Sequence, residues 1–214
     1  MANSINTEIL VPEAVSEGTQ INWARNIQLL NRGLAAVRQA EEMTGQEIQT
    51  VIHIAQPENA LWWYKEAFQN GIADFEWIGL SYYPKWSSVK MADLPQALDS
   101  LKKTYQKRIM IVETAYPHGL QNADSANNIL GEDALLAGFP ASPAGQLNYM
   151  TQLTKKVLEG GGEGVIYWEP AWISTRCRTR WGQDSHWDNA TFFDASNGNK
   201  ALPAFAFFDQ KRYR

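Results

Sequence analysis

The stretch Arg108-Ile-Met-Ile-Val-Glu-Thr-Ala115 is a short apolar run that closes on a carboxylate. An ionisable group at the end of an otherwise buried strand costs free energy unless something uses it. A second run, Gly164-Val-Ile-Tyr-Trp-Glu169, closes in the same way. Parallel strands with acids at their C-terminal ends point to the face of a (β/α) barrel on which that architecture carries its active site. Working outward, Thr50-Val-Ile-His-Ile-Ala55 and Phe75-Glu-Trp-Ile-Gly-Leu-Ser-Tyr-Tyr83, the latter stopped by Pro84, also read as strands. Helical spacing runs over residues 21–45 through Ile21, Ala24, Ile27, Leu30, Leu34 and Val37. Pro57 opens a helix through Phe68, and Gly71 follows it. Asp93 is the expected N-cap of a helix to about Gln106, residues 144–159 form another ended by Gly160-Gly-Gly162, and Ala201–Asp209 a short last one.

Strands alternating with helices predict a parallel sheet with covering helices. A closed barrel of this kind needs eight strands and typically about 250 residues. Only four strands are expected here, preceded by a helix. The fold class is therefore α/β, the C-terminal half of a TIM (β/α)8 barrel, with residues 1–214 forming one partial barrel domain that lacks the N-terminal strands. The connections at 115–143 and 170–200 follow strand ends and far exceed the usual four to six or so residues. Such elaboration on the C-terminal side is where the fold places function. A half barrel also leaves two open sheet edges and an apolar inner face, which predicts self-association.

The net charge of -4 argues against nucleic acid or an anionic membrane as the main partner. No stretch is long and apolar enough to span a bilayer. Met1-Ala-Asn-Ser-Ile-Asn6 lacks the basic-then-apolar pattern of a signal peptide. Cys177 is the single cysteine, so an intrachain disulfide and a multi-cysteine zinc site are both excluded. Tryptophan is the outlier, with nine residues. Trp62, Trp63 and Trp77 fall on element faces and are expected in the core. Trp86, Trp172, Trp181 and Trp187 fall in loops after strand ends, where indole rings suit the apolar faces of sugars. Carboxylates over an aromatic-lined cleft suit the cleavage of glycosidic bonds.

The segments Ile78-Gly-Leu-Ser-Tyr-Tyr-Pro-Lys-Trp86, Ile111-Val-Glu-Thr-Ala-Tyr-Pro117, Gly164-Val-Ile-Tyr-Trp-Glu-Pro-Ala-Trp172 and Ser185-His-Trp-Asp-Asn-Ala-Thr-Phe-Phe-Asp194 occur in order. Together they resemble glycoside hydrolase family 53, the endo-β-1,4-galactanases that act on the galactan of pectin. The resemblance runs over almost the whole chain. It implies a secreted, retaining glycosidase that needs no cofactor for its chemistry and binds β-1,4-galactan. It also implies that Glu113 is the nucleophile. His53, Ser81, Tyr83, Trp86, His118, Trp168, Glu169 and Trp172 are the expected substrate-binding residues, with Tyr83 steadying Glu113; a satisfied core histidine is the competing expectation for His53, and a structural role for Glu169. The family's acid/base glutamate follows an asparagine that aligns with Asn3, so Ser4 occupies its position here. Glu8, four residues further on, is too displaced to replace it. The chain start reflects either an artificial beginning or a natural fragment. On either account this chain alone is expected to be inactive or nearly so.

The resemblance further implies a calcium ion between the two long loops, with Asp124, Asn128, Asp184 and Asp188 as candidate oxygen ligands. A histidine expected in the first of those loops is replaced by Ala126 or Asn127, and solvated loop acids are the competing expectation. Arg176-Cys-Arg-Thr-Arg180 is expected as a solvated, salt-bridged loop, with binding of an acidic pectin region as the alternative. Two further readings stay open. One is a non-catalytic galactan-binding or assembly module, and the other is a (β/α) enzyme acting on mannan or xylan.

Overall fold

The computed structural model describes residues 22–178, 180 and 182–214. Ser4, Glu8 and Trp181 lie outside them. The first helix, α1 (Trp23–Thr44), starts where the Asn22 side chain accepts from the Arg25 amide at 3.1 Å and stops at Gly45 in the left-handed conformation. Then follow β1 (Val51–Ala55), α2 (Pro57–Gln69), β2 (Trp77–Ser81), α3 (Leu94–Tyr105), β3 (Arg108–Glu113) and α4 (Pro143–Glu159). The strands form one parallel sheet in the order β1-β2-β3. Their β-branched runs favour extension, and each intervening helix carries an apolar stripe that must be covered.

The fourth expected strand is only partly regular. A single parallel bridge joins Ile111 to Val165. Hydrogen bonds nevertheless continue the parallel pattern along β3, from Glu163 N to Ile109 O (2.8 Å), Ile166 N to Ile111 O (2.8 Å) and Trp168 N to Thr114 O (2.8 Å). Ile166 is 52% exposed and Val51 on β1 is 43% exposed. These are the two sides of an unclosed sheet. Beside β1, Leu29, Leu30, Leu34 and Val37 of α1 line an apolar groove of about 450 Å³.

The core lies between the sheet and its helices. Ile52, Ile54, Ile78, Leu80, Ile109 and Ile111 are buried together with Trp63, Tyr64, Leu94, Leu98, Leu101, Met150, Leu153 and Val157. Each such side chain contributes roughly 1.5–3 kcal/mol by leaving water. Alternation then directs Val51, Gly79 and Val112 to the other face of the sheet. A Cβ on Gly79 would lie 2.6 Å from Val51 Cγ1 and 2.9 Å from Val112 Cγ2, so only glycine fits between these two valines. At the N-terminal end of the strands the Arg108 guanidinium stacks 3.7 Å above the Trp77 ring and grips Glu163 with two nitrogens. Gln49 accepts from both Trp77 and Arg108.

Three local expectations are corrected. Trp62 is 48% exposed rather than core, because adjacent helical residues cannot both face inward and Trp63 takes the buried position. Asp93 makes no side-chain cap, since its backbone is already helical and a turn from Lys90 leads into α3. The last helix is two 3-10 segments, Pro203–Phe208 and Gln210–Tyr213, whose Phe205, Phe207 and Phe208 pack around Phe192. A short antiparallel pair, β4 (Phe193–Asp194) with β5 (Lys200–Ala201), precedes them.

Candidate active site

The C-terminal ends of β1, β2 and β3 bring three polar side chains into one row. Register places Ser81 beside Glu113 on one side and beside Ala55 on the other. His53 Nε2 lies 2.8 Å from Ser81 Oγ. Burial lowers the His53 pKa below its ordinary value, and the Glu113 charge opposes that shift. The sheet register slips between Leu80 and Ser81, and the Tyr82 amide reaches Glu113 O at 2.9 Å. The next residue, Tyr83, donates its hydroxyl to Glu113 Oε1 at 3.1 Å. Burial, followed by the neighbouring Glu113 charge, drives the Tyr83 pKa far upward, so this phenol keeps its proton and donates a hydrogen bond to Glu113.

Aromatic rings frame this pair. Trp86 packs edge-on to Tyr83 with centroids 5.0 Å apart, and Trp187 lies 6.0 Å away on another side. Trp86 remains 46% exposed and Trp172 38% exposed. Trp168 is half-buried at the end of the fourth strand segment. Glu169 follows it in the left-handed region at φ 50°, and Gln56, directly after β1, has φ 64°. Such backbone costs about 1–3 kcal/mol and gathers at functional sites. The Gln56 side-chain oxygen is also buried without a hydrogen-bond partner among the described residues. Sequence reading missed Gln56, because a lone glutamine before a helix carries no pattern.

The two long loops are fastened to each other. Tyr167 donates to Ala190 O at 2.6 Å and its hydroxyl accepts from the Tyr116 amide at 3.0 Å. Gln146 on α4 reaches Tyr116 O at 2.9 Å and Thr191 O at 3.1 Å. Tyr116 stacks on Tyr149 at 4.1 Å. Lys85, beside Trp86, holds Asp133 at 2.8 Å and so ties the β2 end to the loop after β3. His118 falls elsewhere than the Glu113 row. It lines a separate cavity of about 390 Å³ with Gln121, Asn122, Asp188, Asp194 and Ser196. Burial lowers its pKa, against the Asp188 carbonyl and the Asp194 and Asp188 charges.

Of the four candidate calcium ligands, Asp124 and Asp188 are joined through Ser174 and Asn128 donates to Asp188, while Asp184 is engaged separately. Asp124 Oδ2 accepts from Ser174 Oγ at 2.5 Å and from the Ser185 amide at 2.8 Å. Asp188 accepts from the Ala123 amide at 2.7 Å and from Asn128 Nδ2 at 2.6 Å, and Ser125 donates to Asp184. Among the described residues no three acids, histidines or cysteines converge on a common point. The arrangement therefore does not fit the ion, since its oxygens face N–H and O–H donors. Ser174, the link between Asp124 and Asp188, was not anticipated.

A half barrel with a carboxylate and a tyrosine paired at neighbouring strand ends, under exposed tryptophans, is the layout of a barrel glycosidase. Residues 1–208 match the model of glycosyl hydrolase family 53, and the chain belongs to that family. It is 57% identical over 208 residues to an arabinogalactan endo-beta-1,4-galactanase of Cellvibrio japonicus, covering 97% of this chain and 55% of the relative. An endo-beta-1,4-galactanase of Bacillus subtilis is 30% identical, over 75% of this chain and 37% of the relative. Among solved structures, the Ignisphaera aggregans GH53 catalytic domain superposes with a TM-score of 0.77 at 28% identity, covering 88% of this chain and 52% of that one. The chain thus spans about half the length of the relatives it matches. A Cellvibrio japonicus xylanase at 14% identity and a TM-score of 0.54 shares the fold alone.

Proposed function

We propose that this chain is the C-terminal half of a retaining endo-β-1,4-galactanase and that Glu113 is its nucleophile. The hydrogen bond from Tyr83 to Glu113 Oε1 at a strand end, in a chain of this family, is the observation that carries the reading. The Glu113 carboxylate attacks the anomeric carbon, the bond to the leaving oxygen breaks, and a glutamic acid at the position that Ser4 occupies here protonates that oxygen. Water, activated by the same group, then cleaves the glycosyl ester and returns Glu113 to its carboxylate. No cofactor enters this chemistry. The Tyr83 hydroxyl holds Glu113 in its attacking orientation. Trp86, Trp168 and Trp172 offer ring faces to galactosyl units, while His53, Ser81 and Glu169 meet their hydroxyls. His118, in its separate cavity, contacts a sugar further along the polymer. The polymeric substrate fits a secreted enzyme.

Ser4 at the position of the family's acid/base glutamate cannot protonate the leaving oxygen, and the 214-residue chain tested alone is expected to show little or no turnover. Residues 1–214 act as one partial barrel domain. Exposed Val51 and Ile166 on its two open edges favour pairing with a second copy. A concentration-independent monomer mass by light scattering would count against that pairing. The functional test supplies the missing half barrel in trans, with Ser4→Glu in this chain, and compares sugar release from β-1,4-galactan, xylan and mannan. Release from galactan alone supports the reading, and preference for xylan or mannan overturns it. The exposed faces of Trp86 and Trp172 together with Ser4 support one alternative, a galactan-binding or assembly module. It predicts galactan binding with no release in any combination.

A further inference from the structure

The loop beyond Trp172 is closed at its base by one carboxylate oxygen. Asp124 Oδ2 accepts from Ser174 Oγ at 2.5 Å and from the Ser185 amide at 2.8 Å, so both ends of the intervening segment are pinned to the same atom. Ser185 Oγ also donates to Trp172 O at 2.8 Å, which sets the indole-bearing turn against the closure point. Between the pins, Thr175 to Gln183 contains Arg176, Arg178 and Arg180 and no acidic residue, in a chain whose net charge is -4. The lone acid next to the second pin, Asp184, is engaged by Ser125. Arg176 and Arg178 are exposed, and neither takes part in an ion pair or side-chain hydrogen bond among the described residues. The salt-bridged loop expected from the sequence is therefore corrected at these two positions. Other exposed cations such as Arg32, Lys65 and Lys90 are likewise outside the ion pairs, so what sets Arg176 and Arg178 apart is their place two residues from each other on a loop without acids.

A loop pinned at both ends that projects two unpaired guanidinium groups and carries no acid between its pins presents a local positive field. The guanidinium fork matches a planar carboxylate with two parallel hydrogen bonds. Trp172 stands on the same loop with its ring 38% exposed and offers a sugar-stacking face a few residues away. We propose that Arg176 and Arg178 form a subsite for the uronate carboxylates of an acidic polysaccharide. The assignment is independent of the catalytic reading, because it concerns binding of a charged polymer and not cleavage of a neutral one.

The test is affinity electrophoresis of the 214-residue chain through gels containing polygalacturonate, fully methyl-esterified polygalacturonate, dextran sulfate or neutral galactan. At 0.01 M ionic strength, where the Debye length is about 30 Å, polygalacturonate should retard the protein. The methyl ester, which keeps the sugar and removes the charge, should not. The double variant Arg176→Gln with Arg178→Gln should bind about three- to tenfold more weakly, as expected for two exposed ion pairs. A double Arg→Lys variant should keep part of the retardation, and unchanged circular dichroism of both variants confirms folding. Absence of retardation, equal retardation of the glutamine variant, equal retention on the methyl ester, or stronger retention on dextran sulfate than on uronate would each overturn the proposal. Migration in neutral galactan reports the galactan reading separately.

Discussion

Tyr83, two residues past the end of β2, donates its hydroxyl to Glu113 Oε1 at the end of β3 at 3.1 Å, just beyond the point where the register between the two strands slips after Leu80. The slip sets Ser81 opposite Glu113, and Tyr83, two residues on, faces the same side of the sheet. Tyr83→Phe in the reassembled barrel removes this one bond and keeps the ring between Trp86 and Trp187. A hydrogen bond to a charged group contributes about 1.5–3 kcal/mol. Steady-state kinetics should show kcat lower by about ten- to a hundredfold with KM little changed.

Gly79 sits between Val51 and Val112 with room for no further carbon. Gly79→Ala should destabilise the chain by about 1–3 kcal/mol through overpacking, read as a lower urea midpoint. Val51→Ala in the same chain should recover part of the loss, because it removes the methyl that the new Cβ meets first. An unchanged midpoint in the single variant would show that the two valines yield freely.

The loops above the sheet depend on the Tyr167 hydroxyl, which serves Tyr116 and Ala190 at once. Tyr167→Phe leaves the buried Tyr116 amide without this acceptor, while Ala190 O keeps Gln146 Nε2, and should cost about 1–3 kcal/mol. Proteolysis within residues 115–143 should accelerate in the variant if the hydroxyl fastens the loops.

Acid should loosen the fold before its carboxylates titrate. Burial depresses His53 and His118 below the ordinary value of 6.5. As pH falls through about 6.5 the unfolded chain takes up these protons while the folded chain does not, so unfolding gains. Their contribution is therefore complete above 6.5 and diminishes below it. Glu76 and Asp124, lowered despite burial by hydrogen bonds that include those from Thr50 and Ser174, act in the same direction at lower pH. Urea midpoints should fall between pH 7.5 and 5.5, and His53→Gln with His118→Gln should flatten that range.

The strands of this fold were legible because β-branched runs end at Pro84, Glu113 and Glu169, and the helices because their apolar residues recur on one face. What was not legible depends on groups distant in sequence. The fourth strand segment forms a single bridge to β3 despite a strand-like composition, although its amides continue the parallel pattern. Trp62 and Trp63 are chemically alike, and only the direction of α2 decides that the second is inside. At the site, Glu113 and Tyr83 were readable as strand-end residues. The serine that joins Asp124 to Asp188, the separate cavity holding His118, and the closure of the arginine loop arise where two long loops meet, which no local pattern encodes.

The most direct test of the central claim compares Glu113→Gln with Glu169→Gln, each in the Ser4→Glu chain supplied with the missing half barrel, by release of reducing ends from β-1,4-galactan. The account predicts release by the parent assembly, a loss of about a thousandfold or more for Glu113→Gln, and retained turnover for Glu169→Gln. Full activity of the Glu113→Gln assembly, or the larger loss falling on Glu169, would contradict it.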